Sequence, residues 1–344
     1  MKVLTFVIPA YNSEKFLDIC IPSMILPEVM DKVEIIIVND GSKDNTVNVA
    51  EKYCALYPGI VRLISQENKG HGGALNTGCE AATGKYVKVI DSDDWIVTEN
   101  LPVFLQELEM CNANVVLTHY HTVDIGTRDI KSWKSYPQEF GKEYTFDEIV
   151  EHWNDYDRSL TFHGITYNTE FLRRWNYRLS EYVFYEDHEY STFPCCHADS
   201  VKPLDLFIYE YRIGDVEQSV SEVNQLKRIG HTETVLKRML FEYNQLKNLT
   251  ESQRQFIRLK IQILLLSYMT TILFVEPNKK EGRRLAKIFL NELKSCAPEI
   301  YELIKRKCDC FILMNYCHFS RRTWDSIKSS SLYSLLKRRH TFES

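Results

Sequence analysis

With 344 residues, 44% hydrophobic and 26% charged side chains, the chain has globular composition and room for two domains. It is neither collagen-like nor largely disordered. The formal net charge of −5 conceals a split: residues 1–221 hold 19 Lys and Arg against 35 Asp and Glu, and residues 222–344 hold 23 against 12. The acidic part argues against nucleic acid as a ligand; the basic part leaves anionic lipid or phosphate open.

Taken in chain order, the first apolar run ends at Pro9 after about six residues, short of the roughly 7–15 of a signal-peptide core, so a cytoplasmic location is expected. Val3–Ile8 reads as a buried strand, followed by a helix capped by Ser13 and bearing Phe16, Leu17 and Cys20. Val33–Val38 is a second buried strand, ended by the turn-forming Asn39-Asp40-Gly41-Ser42. A helix capped by Asp44 or Asn45 follows, then a strand over Ile60–Ile64. A glycine-rich start at Gly70-His71-Gly72-Gly73 opens a helix that ends near Gly84. Tyr86–Ile90 is the next strand, Leu101 to Leu108 a helix, and Asn114–Leu117 a further strand. This alternation predicts βαβ units in a mostly parallel sheet, whose ligands bind at the carboxyl ends of strands. Asn12, Asp40 and Asp91-Ser92-Asp93-Asp94 all fall at such ends.

From Asp124 to Ser221 the pattern is irregular and aromatic. Beyond Glu222 it is helical, with Val235, Leu236, Met239, Leu240 and Tyr243 on one face. The apolar stretch Ile261 to Val275 falls short of the roughly 20 residues that span a bilayer and reads as a buried helix. Ten scattered cysteines without a C-x-x-C pair read as free thiols. The division expected is 1–221 and 222–344.

Three carboxylates within Asp91-Ser92-Asp93-Asp94 repel one another, so gathering them at a strand end suits a divalent cation such as Mg²⁺ or Mn²⁺, completed by substrate phosphates. The same residues also suit a solvated helix N-terminus. Asp40 suits a β-turn or an acceptor for a base N–H. The Gly70-His71-Gly72-Gly73 loop offers backbone N–H groups to a phosphate but matches neither the P-loop nor the dinucleotide pattern. Glu186-Asp187, after the aromatic run Tyr182-Val183-Phe184-Tyr185, suits a general base or an exposed helix start. His119 and His121 share a strand face and read as a structural pair.

In this order the motifs resemble glycosyltransferase family 2, inverting enzymes of GT-A fold, over about Leu4 to Ser221. Val7-Ile8-Pro9-Ala10-Tyr11-Asn12 is similar to the family's opening strand and loop, Asn39-Asp40-Gly41-Ser42 to its second motif, and Asn68-Lys69-Gly70 through Asn76-Thr77-Gly78 to the stretch under the nucleotide. In that stretch Leu75 stands where members commonly carry Arg, with Lys69 or His71 as substitutes. Asp91-Ser92-Asp93-Asp94 resembles the D-x-D element, Glu186-Asp187 the late acidic motif, and Tyr209-Glu210-Tyr211-Arg212 with Gln218-Ser219 the closing segment.

The resemblance implies a GT-A catalytic domain with a helical C-terminal appendage, and transfer from a UDP-sugar with Mn²⁺ or Mg²⁺. It implies nucleotide-sugar contacts at Pro9, Ala10, Tyr11, Asn12, Asp40, Lys69, His71, Gly72, Asp91, Ser92 and Arg212, metal at Asp93 and the base at Asp187. Sugar or acceptor contacts fall on Asp94, His163, Glu186, His188, Gln218 and Ser219. The acceptor is expected to be a carbohydrate, a lipid-linked glycan or a protein, in cell-surface polysaccharide or glycoconjugate synthesis. The alternatives are a glycoside hydrolase, disfavoured because it leaves the nucleotide-type strand ends unexplained, and a non-catalytic nucleotide-sugar-binding scaffold. The basic Lys305-Arg306-Lys307, Arg321-Arg322 and Lys337-Arg338-Arg339, interleaved with aromatics, read as a solvated face or as a dock for anionic membrane at its inner face or a partner enzyme.

Overall fold

The computed structural model describes residues 2–215 and 222–328. Gln218, Ser219, the expected boundary at Ser221 and Lys337-Arg338-Arg339 lie outside the described residues. The chain forms two compact units, Met1–Val216 with Asn248–Ile257, and Glu217–Lys247 with Arg258–Ser344.

The first unit is built on a mixed sheet. Its strands are β1 (Leu4–Ala10), β2 (Val33–Asp40), β3 (Val61–Gln66), β4 (Tyr86–Val89), β5 (Trp95–Ile96), β6 (Val115–Asp124), β7 (Ile130–Trp133), β8 (Ile165–Asn168) and β9 (Val201–Ile213). They run in the order β3-β2-β1-β4-β8-β6-β9-β5, with β7 added beside β6. β3, β2, β1 and β4 are mutually parallel, as βαβ alternation requires; β8 enters antiparallel between β4 and β6, and β6 and β9 pair in parallel.

All seven residues of β1 and all eight of β2 are buried because helices cover both faces, which is why these strands read as unbroken apolar runs rather than alternating ones. The first-unit helices are α1 (Leu17–Ser23), α2 (Thr46–Leu56), α3 (Gly70–Ala81), α4 (Leu101–Met110), α5 (Phe146–Glu151), α6 (Trp153–Tyr156), α7 (Thr169–Trp175) and α8 (Asp187–Tyr190). Phe6, Ile8, Ile35, Ile37 and Tyr86 pack in one core with Leu17 and Ile21 of α1, Ala50 and Tyr53 of α2, and Phe104 and Leu108 of α4. α3 takes the opposite face, where Gly78 sits against Val7 and Val38. Ser13 is not the cap of α1, which begins at Leu17 after Phe16; instead the Ser13 carbonyl accepts from the Phe16 and Leu17 N–H groups. The irregular middle region holds the long strand β9. From outside the contiguous stretch, Phe256 packs against Phe146 at 5.0 Å and Trp153 at 5.7 Å.

The second unit is helical. α9 (Glu222–Lys227) and α10 (Ile229–Gln245) precede α11 (Glu251–Thr270), whose residues up to Ile257 belong to the first unit and which runs into a π-helical turn at Thr271–Val275; α12 (Lys279–Cys296), α13 (Pro298–Tyr316) and α14 (Arg321–Lys328) follow. The buried Asn315 of α13 donates to the Leu273 carbonyl in that turn and accepts from Arg283, satisfying a backbone group the irregular turn leaves over. Glu251–Val275 is long and apolar enough, by length and composition, to cross a membrane, and its most apolar 18-residue window is 67% buried inside the protein. The helix is therefore longer than the Ile261 to Val275 stretch that read as too short to span a bilayer; what agrees with a core helix is the burial of its window.

Candidate active site

The carboxyl ends of β1, β2 and β4 open on one side of the sheet. Pro9 and Ala10 are buried in β1, and Tyr11 is 48% exposed just beyond it. Asn12 takes a left-handed φ of 53°; its side-chain oxygen accepts from Lys43 N–H at 2.8 Å and its own N–H donates to Ser42 at 3.0 Å, stitching the β1 and β2 ends together.

Asp40 is buried, and its carboxylate holds the start of α3. One oxygen accepts from Lys69 N–H and from Gln66 at 2.8 Å each, and the other from Gly70 N–H at 2.8 Å. The Gly70 N–H, one of the loop N–H groups read from the sequence as phosphate donors, is therefore spent on Asp40, as is the Lys69 N–H. Gly70 has φ 79°, which glycine adopts without strain. Gly72 is required for another reason: a Cβ there would lie 2.3 Å from the Ser180 carbonyl and 2.8 Å from the Glu186 side chain.

The turn after β4 carries the acidic cluster. The Tyr209 hydroxyl of β9 accepts from Asp91 N–H at 3.1 Å and donates to Asp94 at 2.5 Å, while the other Asp94 oxygen accepts from Arg212 N–H at 2.8 Å. Asp94 is thus a buried anchor between β4 and β9, and burial together with Asp93 and Asp91 pushes its carboxyl well above the usual range. Ser92 shares a 2.7 Å hydrogen bond with Ser13. The Arg212 guanidinium lies 3.8 Å from Asp93, 3.0 Å from Asp215 and over the Phe16 ring.

Glu186 and Asp187, nearly a hundred residues downstream, reach this cluster through His71. Nε2 of His71 is 2.8 Å from Asp91 and Nδ1 is 2.5 Å from Glu186. Both ring nitrogens thus face carboxylates, which calls for two N–H donors, the imidazolium form. Burial opposes that charge, but the two carboxylates carry the His71 pKa well above 6.5. At Asp91, burial is outweighed by the His71 cation, which holds its pKa below the usual range; at Glu186, burial prevails and pushes it up. The second Glu186 oxygen is buried with no hydrogen-bond partner among the described residues. Two left-handed residues, Tyr182 (φ 60°) and Tyr185 (φ 74°), lead into Glu186, and Tyr182 N–H donates to the Lys69 carbonyl at 2.7 Å.

His163 stacks on Tyr211 at 4.4 Å and meets Tyr209 edge-on at 4.8 Å; burial lowers its pKa to about 4, so the ring is neutral. His188 lies in α8 and its carbonyl accepts from Thr192. His119 and His121 are a structural pair, hydrogen-bonded to Asp205 and Glu210 and both against Phe207. Sequence reasoning missed Tyr209 as the link between Asp91 and Asp94, and Lys88, fully buried in β4, whose ammonium donates to the His163 carbonyl at 2.8 Å. The one signal for Lys88 was a lysine inside the apolar run of a central strand.

Among the described residues no group of three or more His, Cys, Asp or Glu could hold a metal ion. Asp91 is engaged by His71, Asp94 by Tyr209 and Arg212, and Asp93, the expected metal ligand, lies 3.8 Å from the Arg212 guanidinium. One carboxylate, with the rest of the shell supplied by phosphates, fits Mg²⁺ or Mn²⁺ and would not fit a structural zinc.

The model of the family described as Glycosyl transferase family 2 matches residues 5–176, half of the chain. The chain belongs to glycosyl transferase family 2. The match takes in Asp40, His71 and Asp91 to Asp94, while Glu186, Asp187 and Arg212 lie beyond it. This family 2 glycosyltransferase is 28% identical to the uncharacterized glycosyltransferase EpsJ of Bacillus subtilis over 216 residues, 62% of this chain and 61% of EpsJ. It is 33% identical to glycosyltransferase GlyG of Streptococcus pneumoniae over 124 residues, 36% of this chain and 40% of GlyG. The chain therefore spans less than two thirds of either relative. Among solved structures, S. aureus TarS 1-349 superimposes with a TM-score of 0.64 at 19% identity, covering 92% of this chain and 89% of that chain. This likeness shows the GT-A fold of the family 2 glycosyltransferase. TarS 1-349 has also been solved in complex with UDP-GlcNAc and with UDP.

Proposed function

We propose that the protein transfers a sugar from a UDP-sugar to an acceptor hydroxyl with inversion at the anomeric carbon. The observation that carries this reading is the meeting of the Asp91–Asp94 turn with the Glu186-Asp187 step at His71, which puts a donor-side acidic cluster and a candidate base in one site. The UDP-GlcNAc and UDP complexes of the fold neighbour TarS support a uridine nucleotide as the leaving group.

In this mechanism Asp187 takes the proton of the acceptor hydroxyl, and that oxygen attacks the anomeric carbon from the face opposite the diphosphate. The anomeric bond to the diphosphate breaks, UDP leaves with the bonding pair, and no covalent enzyme intermediate forms. Arg212 places positive charge beside Asp93, where negative charge grows on the leaving group. Asp93 would hold a Mn²⁺ or Mg²⁺ that neutralises the diphosphate. The neutral His163 ring, stacked on Tyr211, adds an aromatic pair suited to a sugar or acceptor face. We place the reaction on the cytoplasmic side of the membrane, in the synthesis of a cell-surface polysaccharide or glycoconjugate.

A panel of nucleotide sugars assayed for Mn²⁺-dependent UDP release, with and without acceptors, tests this reading. Asp187→Asn should lower transfer by about 10²–10⁴-fold, the usual contribution of a general base, while UDP affinity stays within about threefold. Normal transfer by this variant would remove Asp187 as the base.

A further inference from the structure

We propose that His71 is a positioning residue whose imidazolium ties the donor-side carboxylate of Asp91 to Glu186 and thereby fixes where Asp187 stands. The inference rests on the reading of Asp187 as the base and adds a residue to which nothing in the family resemblance gives this task. The two ends of the tie differ in their other supports. Asp91 is held independently, since the Tyr209 hydroxyl accepts from its N–H. Among the described residues Glu186 has no such second hold on its carboxyl: one oxygen meets His71 at 2.5 Å, and the other is buried without a partner.

The backbone that delivers Glu186 also needs an external constraint. Tyr182 and Tyr185 both take left-handed conformations that cost a non-glycine residue of order 1–3 kcal/mol each, and such conformations persist only where the surroundings over-determine them. The surroundings here are the first turn of α3: Lys69 accepts from Tyr182 N–H, Gly72 packs against Ser180 and the Glu186 side chain, and His71 between them grips the carboxylate. His71 also spans a gap that would otherwise be repulsive. Without its charge, Asp91 and Glu186 are two carboxylates in a partly dry site, with Asp187 following directly, and repulsion would drive the Glu186 step outward or protonate it. The Phe162 ring lies 5.8 Å from the imidazole and shields one side of the tie.

The test uses the full-length chain with His71→Gln, Glu186→Gln and the double substitution. Each single change should lower kcat for UDP release in the presence of acceptor by at least about tenfold, since misplacement of about 1 Å can cost 10²-fold. Donor KM and the calorimetric Kd for UDP should move less than about threefold. The double variant should lose no more than the worse single, because both remove the same tie; losses that multiply overturn the proposal. A rise in UDP Kd matching the fall in kcat also overturns it, in favour of direct phosphate contact by His71. If the wild type turns over no nucleotide sugar, the proposed function fails and the tie is still tested by NMR of the labelled wild-type histidines. His71 should be an imidazolium at about pH 7.5, with a midpoint that drops in Glu186→Gln. A neutral His71, or a midpoint indifferent to Glu186, overturns the tie itself.

Discussion

Lys88 shows at single-residue scale how the site couples to stability. It has no exposed surface, its ammonium donates to the His163 and Ile165 carbonyls, and burial lowers its pKa from 10.5 to about 7. An unfolded chain keeps that proton up to about pH 10.5, so between 7 and 10.5 the unfolded state binds more protons and stability rises with pH, by up to about 1.4 kcal/mol per unit. Lys88→Met removes this dependence. The unfolding free energy of wild type minus that of the variant, from urea titrations at about pH 7 to about 9.5, should climb with pH; a flat difference would mean that Lys88 stays charged in the fold. His71 has the opposite sign: its raised pKa contributes stability that is complete below 6.5 and is lost as pH rises through the folded value. Neither environment was legible in the sequence. Asp93 and Asp187 stood out because acidic residues clustered after apolar runs, whereas the partners of His71 lie 20 and 115 positions away and only the folded chain brings them together.

At the scale of elements, the junction between the start of α3 and the Glu186 step is tight enough for one methyl group to test. Gly72→Ala places its Cβ against backbone at Ser180, so something must shift. The expected result is a loss of about 1–3 kcal/mol in unfolding free energy, as in other overpacked sites, with a fall in kcat beyond what the loss of folded protein explains. An unchanged melting temperature and rate would show that the junction yields freely. The strands β1 and β2 were legible because strands covered on both faces must be continuously apolar. β9 was not: Pro203 and Asp205 interrupt it, and Glu210 and Arg212 are polar because they serve His121 and the acidic turn. The end of β6 was missed for a related reason. The strand read from the sequence stops at Leu117, whereas β6 runs on through His119 and His121, which pair with β9 and pack against Phe207.

Over the whole molecule, the charge split seen in the sequence raises a question of membrane docking that can be tested. On α13, Arg306 and Lys307 are exposed together with Leu303, Leu313 and Tyr316, a mixture of cation and apolar surface suited to an anionic lipid interface. We propose docking on such a surface: the protein should sediment with phosphatidylglycerol vesicles at about 0.1 M salt, and release as salt rises to about 0.5 M. Equal recovery with phosphatidylcholine vesicles would sink that idea. The switch to glycine-poor helical periodicity leaves a mark in the sequence, whereas the return of Asn248–Ile257 to the first unit leaves none, since a ten-residue segment carries no compositional sign of which core it joins. That return bears on synthesis. A chain leaving the ribosome at about 5–20 residues per second exposes the whole sheet before Phe256 exists, and for those seconds Phe146 and Trp153 lack the ring they will pack against. The catalytic unit cannot finish folding before the helical one has begun to emerge, which makes this interval the point at which a chaperone would find exposed aromatic surface.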